Sequence, residues 1–225
     1  MIKTIRVMLI PNNKQKTKLF QYANIARFAY NWALAKEQEN YKDGSKFLSD
    51  VDLRKEFTKM KQTQEYAWLN AVSNNVTKQA IKDACDAYKK FFKGSAKFPK
   101  FKSRKKSTPS FYQDNVKIQF SETHVKVEGF AVSKKKNKQK LNWIRLAEHD
   151  RIPTDCKYSN PRIRFDGLNW WITVGIGYPD PVFASKNEGV GIDLGIKDLA
   201  ICSDGNKYKN INKNYGMKQL EKKKR

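Results

Sequence analysis

The sequence predicts an α+β fold: a small antiparallel barrel, interrupted after its first strand by an inserted helical block, and then a separate short sheet. Three observations carry this expectation. A single alternating strand precedes a long stretch of helical periodicity, a period of two returns from about residue 95, and the pattern changes again at Gly189.

In residues 3–10, Ile5, Val7 and Leu9 fall on one face and Thr4, Arg6 and Met8 on the other, which predicts a strand. Pro11-Asn12-Asn13 breaks it and offers a helix cap. Leu19, Tyr22, Ile25, Ala29, Trp32 and Ala33 then form the apolar stripe of a long helix ending near Asp43-Gly44. Ser49 and Asp52 resemble a capping box ahead of Leu53, Phe57 and Met60. Ser73 caps a third predicted helix that carries Val76, Ala80, Ala84, Tyr88 and Phe91 and stops at Gly94.

Beyond residue 95 the alternating pairs are Val116, Ile118 and Phe120, then Val125 and Val127, then Leu141 and Trp143. Ile163 and Phe165 lead into Asp166-Gly167, expected as a two-residue hairpin turn, and Trp170, Ile172, Val174 and Ile176 return. Tyr178-Pro179-Asp180-Pro181 breaks the pattern, and Ala184 to Glu188 reads as a linker. The expected organisation is therefore a barrel from 1–11 and 95–183, a helical insert over 12–94, and a distinct segment over 188–225.

Charge narrows the function. The 225 residues hold 46 Lys and Arg against 22 Asp and Glu, a formal charge of +24. Such self-repulsion costs stability and is far above the net charge of about 2–8 that solubility asks of a small domain, so it points to an anionic partner, nucleic acid first. A membrane surface fits less well. No apolar run approaches the roughly 20 residues of a spanning helix, Met1–Pro11 lacks the apolar core of a signal peptide, and the cations are scattered over all elements. A cytoplasmic chain, nucleoid-associated when bound to DNA, is expected. Cys85, Cys156 and Cys202 form no CxxC pair and read as small buried hydrophobes, and His124 and His149 are isolated.

Three basic clusters are candidate contacts. Lys97, Lys100, Lys102, Arg104, Lys105 and Lys106 interleave with Phe98 and Phe101, a combination suited to base stacking and phosphate contact together. Lys134, Lys135, Lys136, Lys138 and Lys140 fill a predicted loop, and Lys218 with Lys222 to Arg225 forms a basic tail.

Residues 189–205 carry the chemistry. Val190, Ile192 and Leu194 bracket Asp193 in a short apolar strand, Leu199 to Cys202 make a second strand, and Ser203-Asp204-Gly205-Asn206 turns toward a third around Tyr208. A carboxylate inside an apolar strand is costly to bury unless a cation meets it, and Mg²⁺ or Mn²⁺ suits carboxylate oxygen. RNase H-like nucleases begin in this way, with an aspartate bridging two metal ions. Two other readings share the pattern. Actin and sugar-kinase ATPases open on the same Asp-x-Gly hairpin, although with Thr or Ser where Ile196 and Lys197 stand here, and a strand-end Asp can simply cap a tight turn. Asp198 reads either as a turn residue or as one that supports the metal ligand from behind, and Asp204 fits the Ser-Asp-Gly turn without any function.

Taken in order, Lys3 to Pro11, Tyr30-Asn31-Trp32-Ala33-Leu34, Phe91-Phe92, Phe98-Pro99-Lys100-Phe101-Lys102-Ser103 and Gly191-Ile192-Asp193-Leu194-Gly195 resemble the TnpB (OrfB) family of transposon-encoded proteins across essentially the whole chain. The resemblance implies an RNA-guided DNA endonuclease: an OB-like wedge barrel and a helical recognition lobe hold guide RNA and target DNA, and a split RuvC nuclease cuts. Asp193 corresponds to the first of three RuvC carboxylates and metal ligands. The Glu, the second Asp and the four-cysteine zinc finger that the family implies are not among these residues, so the chain reads as a truncated, catalytically incompetent member that retains RNA and DNA binding. The alternatives are a non-catalytic nucleic-acid-binding regulator and a helix-turn-helix DNA-binding accessory protein.

Overall fold

A computed structural model describes residues 1–130, 141–178, 189–211 and 214–223. The chain divides into two compact units, Met1–Pro179 and Asp180–Arg225.

In the first unit, strand β1 (Ile2–Ile10) leads into helix α1 (Asn13–Lys42), α2 (Asp50–Met60), a 3-10 helix (Gln64–Ala71) and α3 (Asn74–Phe92). Strands β2 (Ser110–Tyr112), β3 (Gln119–Phe120), β4 (His124–Lys126), β5 (Trp143–Leu146), β6 (Tyr158–Phe165) and β7 (Trp170–Gly177) follow. Local chemistry explains the helix starts. Asn12 and Gln15 form a reciprocal capping box, each backbone N–H donating to the other's side-chain oxygen at 2.9 Å. The hydroxyl of Ser49 accepts from the N–H of Asp52 at 3.2 Å, and that of Ser73 accepts from Asn75 at 3.2 Å. Gly44 and Gly94 follow α1 and α3 with φ of +64° and +69°, the left-handed geometry of a helix stop.

The strands form one antiparallel sheet in the order β2-β6-β7-β1-β5-β4-β3. Strand β1 sits in its middle because the helical block leaves the sheet after it and the chain returns on both sides. It pairs with β7 from Ile2–Gly177 to Leu9–Trp170, and with β5 at Leu9 and Ile10. Ile5, Val7 and Leu9 of β1 and Trp170, Ile172, Val174 and Ile176 of β7 are all buried, as period-two patterning demands.

Four details correct the expectation. Val116 lies in a turn and is 81% exposed, so its alternation with Ile118 and Phe120 was not that of a strand. In β5 the inward residues are Ile144 and Leu146, one step out of phase with Leu141 and Trp143. The β6–β7 hairpin closes on Asp166 and Asn169, where the Asp166 N–H donates to the Asn169 carbonyl at 3.0 Å, so the two turn residues are Gly167 and Leu168. Gly167, at φ +109°, takes the position that other residues avoid. Finally, of the three cysteines only Cys85 is fully buried; Cys156 and Cys202 are partly exposed.

The helices pack on the sheet and on each other. Phe20 stacks edge-on against Phe165 and Trp170 at 5.1 and 4.9 Å, and Tyr22 meets Phe111 and Phe130. Ala29, Ala33 and Leu34 face the α2 and α3 side of the core with Leu53, Phe57 and Ala84. No helix among the described residues is long and apolar enough to cross a membrane.

The second unit holds β8 (Ile192–Leu194), β9 (Asp198–Cys202), β10 (Lys207–Lys209) and helix α4 (Tyr215–Lys223), with the strands antiparallel in the order β10-β9-β8.

One buried acid in the first unit sets a pH dependence. Glu37 of α1 is 2% exposed; one carboxylate oxygen accepts from the Leu48 N–H at 3.3 Å and the other has no partner among the described residues. Burial pushes its pKa up from 4.5 to about 7. Between these values the folded chain holds a proton that the unfolded chain has released, so stability falls as pH rises through that window. Glu37→Gln removes this slope, and at pH 8 the variant is expected to be more stable by about 2–3 kcal/mol, as read from denaturant midpoints at pH 5 and pH 8. Equal pH slopes in both proteins would refute the assignment.

Candidate nucleic-acid interface

The 97–106 segment is held to the helices at both ends. At its start the Phe98 ring packs against Phe91 and Tyr88, with centroids 5.1 and 5.7 Å apart, and Pro99 is buried. At its end Asn31 of α1 binds the Lys102 backbone in both directions. The side-chain amide donates to the Lys102 carbonyl at 2.9 Å, and the Lys102 N–H donates to the amide oxygen at 2.8 Å. A turn follows, in which Ser107 N–H donates to the Ser103 carbonyl and Lys106 N–H to the Ser103 hydroxyl, both at 3.0 Å.

This tethering leaves Lys97, Lys100, Phe101, Arg104, Lys105 and Lys106 exposed. Lys102 differs. Its ammonium lies 3.7 Å from the centre of the Tyr30 ring, and burial pushes its pKa down from the ordinary lysine value, with Asp83 opposing. Lys134, Lys135, Lys136, Lys138 and Lys140 lie outside the described residues, as do Lys224 and Arg225.

An aromatic group adjoins the segment where α1 and α3 end. Tyr41, Phe47, Tyr88, Phe91, Phe92 and Phe98 contact one another, and Tyr41, Phe92 and Phe98 remain exposed. Lys89, Lys90 and Lys93 of the same helix end are exposed as well. Rings beside cations can stack on bases while the ammonium groups meet phosphates.

A third feature had no local signal in the sequence. Arg162 of β6 forms a bidentate pair with Asp83 of α3, at 2.7 and 2.9 Å, tying sheet to helix. Burial works to raise the Asp83 carboxyl, but the hydrogen bonds from Arg162 and Gln79 outweigh it and hold the group below the usual carboxylate range. Arg162 follows a bulge after Ser159 where Asn160 adopts φ +45° and Pro161 interrupts the ladder. Such a pairing, 79 residues apart in sequence, is visible only once the fold exists.

In the second unit Asp193 occupies the middle of β8, opposite Ile201 of β9. The Gly191 N–H donates to the Ser203 hydroxyl at 2.9 Å, and the Ser203 N–H donates to the Gly191 carbonyl at 2.8 Å, closing the far end of the pair. Gly195 turns the chain where an added Cβ would stand 3.0 Å from the Asp198 carbonyl oxygen, which accounts for glycine after Asp193-Leu194. Asp204 is used by its own turn, accepting from the Asn206 backbone and side-chain N–H groups. Asp193 is exposed here, as are Ile192 and Leu194, so the strand imposes no burial cost on its carboxylate. Among the described residues no group of three or more His, Cys, Asp or Glu is placed to hold a metal ion.

An exposed basic ribbon thus lies beside exposed rings, on a helical block joined to an antiparallel sheet. Residues 1–46 match the helix-turn-helix domain of the OrfB/IS605 group. A protein named as an RNA-guided DNA endonuclease, InsQ, from Escherichia coli (strain K12) is 26% identical over 213 residues, covering 94% of this chain and 50% of the relative. One of the same description from Streptomyces pristinaespiralis is 25% identical over 208 residues, covering 92% and 50%. The chain thus spans about half the length of the curated relatives it matches. Among solved structures, the cryo-EM structure of a Cas12f1-sgRNA-target DNA complex aligns with a TM-score of 0.48 at 13% identity, covering 100% of this chain and 61% of that one. The chain is thus similar over more than nine-tenths of its length to proteins named as RNA-guided DNA endonucleases, and its first 46 residues to the OrfB/IS605 domain. Residues 1–46, which carry the helix-turn-helix name, fold here as β1 and a single uninterrupted helix that continues to Lys42.

Replacing Asn31 with Ala removes both backbone tethers of Lys102 and is expected to cost about 1–3 kcal/mol. Trypsin should then cut within 97–106 several-fold faster under native conditions. Unchanged stability and unchanged cleavage would show that Asn31 does not hold the segment.

Proposed function

We propose that this chain is the guide- and target-binding part of an RNA-guided DNA endonuclease, with its first unit gripping nucleic acid and Asp193 supplying the first carboxylate of a RuvC-type nuclease. The tethered, exposed run Lys97–Lys106 beside the aromatic helix ends carries this reading. Likeness over more than nine-tenths of the chain to relatives named as RNA-guided DNA endonucleases supports it. In this reading the sheet is the wedge-type barrel of 1–11 and 95–183, residues 12–94 are the recognition lobe, and 188–225 open the RNase H-like sheet.

The chemistry follows from general electrostatics. Each Lys or Arg that meets a phosphate releases a condensed counterion, so affinity falls steeply with salt and carries little sequence preference. Sequence choice is left to base pairing with the guide. The family's metals would be Mg²⁺ or Mn²⁺, and each ion needs several oxygen ligands, so Asp193 must act with carboxylates outside this donor set. The polypeptide of these 225 residues by itself is accordingly proposed to bind without cutting.

Two measurements test the reading. The purified 225-residue chain should bind single-stranded RNA at low salt. Lys100→Gln, Lys105→Gln and Lys106→Gln together should flatten the slope of log K against log salt by about 2, at roughly 0.7 per lost phosphate contact. No RNA binding at low salt would end the binding half of the proposal. Asp193→Ala should leave that binding unchanged, and robust metal-dependent cleavage by the 225-residue chain that this substitution abolishes would overturn the catalytic half.

A further inference from the structure

A cavity of about 210 Å³ lies where α1, α3, the stretch 104–112 and β6 meet. One face of α1 forms its wall, because Phe20, Ala23 and Arg27 recur at helical spacing. Apolar side chains, including Ala80 and Phe111, make the floor, and four cations stand around it: Arg27, Lys102, Arg104 and Arg162.

The charges do not cancel. Among the described residues the only acid lining the cavity is Asp83, and Arg162 already occupies both of its oxygens. Lys102 is held over Tyr30. Arg27 and Arg104 have no acidic partner among the described residues, and the Nε–H of Arg27 is buried with no hydrogen-bond acceptor. A buried donor left unpaired costs about 1–3 kcal/mol, more when charged, so the site is short of an anionic acceptor. Hydroxyls of Ser107 and Thr108 add neutral donors to the same walls, while that of Tyr112 already donates to the Asn115 side chain at 3.4 Å.

Size and chemistry together select the ligand. Cofactor pockets commonly run from about 300 to 1,000 Å³, which leaves this one too small for a dinucleotide. Planar guanidinium groups match phosphate oxygens in pairs, and an apolar floor tolerates a sugar or base edge.

We propose that this cavity is a phosphate pocket, in which Arg27 and Arg104 receive the phosphate of one nucleotide while the rest of the strand passes over the 97–106 ribbon. The proposal rests on the nucleic-acid-binding reading and adds to it one discrete, addressable contact. The phosphate can belong to an internal position of a strand or to a free or terminal nucleotide, and the arms of the test separate these.

The full 225-residue chain is titrated with a single-stranded RNA dodecamer over a range of salt, and separately with adenosine 5′-monophosphate. Arg27→Gln should lower RNA affinity about three- to tenfold and flatten the salt slope by about 0.7. Arg27→Lys should recover only part of this. Thr108→Glu, at an exposed residue, places a carboxylate at the mouth and should weaken binding at least as much without disturbing the fold, which thermal midpoints verify. Saturable binding of the mononucleotide, lost in both variants, identifies a free or terminal phosphate. An effect on the dodecamer alone identifies an internal one, and either supports the pocket. Wild-type affinity and slope in folded Arg27→Gln and Thr108→Glu chains overturn it while leaving the proposed function standing. Failure of the wild-type chain to bind either probe removes both.

Discussion

Helix α1 must satisfy two cores at once. Thirty residues span about 45 Å, so its two halves reach different neighbours. Near the start Leu19 and Tyr22 pack on the sheet, Gln15 donates to the carbonyls of Leu141 and Trp143 at 3.0 and 2.7 Å, and the Tyr22 hydroxyl donates to the Glu128 carbonyl at 3.0 Å. Further along, Ala26, Ala29 and Ala33 keep the stripe small, which lets α3 approach with Ala80 and Ala84. The position of every functional element in the first unit follows from this placement. The Lys97–Lys106 ribbon is tethered to α1, the cavity is walled by it, and the Asp83–Arg162 pair lines the same cavity.

Much of this was legible from patterning alone. The strand, three helices and return to strands were readable because each element carries its own signal: period two in β1 and β7, period 3.6 in α1 and α3, and a cap at Asn12, Ser49 and Ser73. Errors arose where the signal is short. Strands of two to four residues cannot fix their own phase, so Val116 alternates with Ile118 and Phe120 without joining a ladder, and the inward positions of β5 lie one residue from those its pattern suggests. The hairpin moved by one residue because Asp166 closes the turn: its carboxylate accepts from Leu168, Asn169 and the Trp171 indole, which holds it at the last paired position. In the candidate site the exposed cations were evident as a run, whereas Arg27 and Arg162 were not. Their roles come from partners, or a missing partner, on other elements, and no local window contains that information.

The two units place different demands on their charged groups. In the first, two ionised side chains that leave water have compensation, Arg162 with Asp83 and Lys102 with the Tyr30 ring, whereas the buried Nε–H of Arg27 has none among the described residues. In the second, Asp193 is solvent-exposed, so the argument that its strand must bury a carboxylate against a cation does not apply to these residues. What distinguishes Asp193 is its register, central on a short strand opposite Ile201, with a glycine turn directly after it. A metal-binding reading therefore stands on family likeness and on that position rather than on electrostatic necessity.

The tether at Asn31 has a bearing on how this surface can change over time. Both of its hydrogen bonds end on main-chain atoms of residue 102, and the turn that follows is closed by one backbone bond and by the Ser103 hydroxyl, not by any cationic side chain. The path of the ribbon is thus specified without reference to most of the side chains it displays. Such a surface can exchange one cation for another, or lose one, while its course across the helices stays the same. Mutation can then retune its grip on a strand one position at a time, with folding stability uncoupled from the residues that drift.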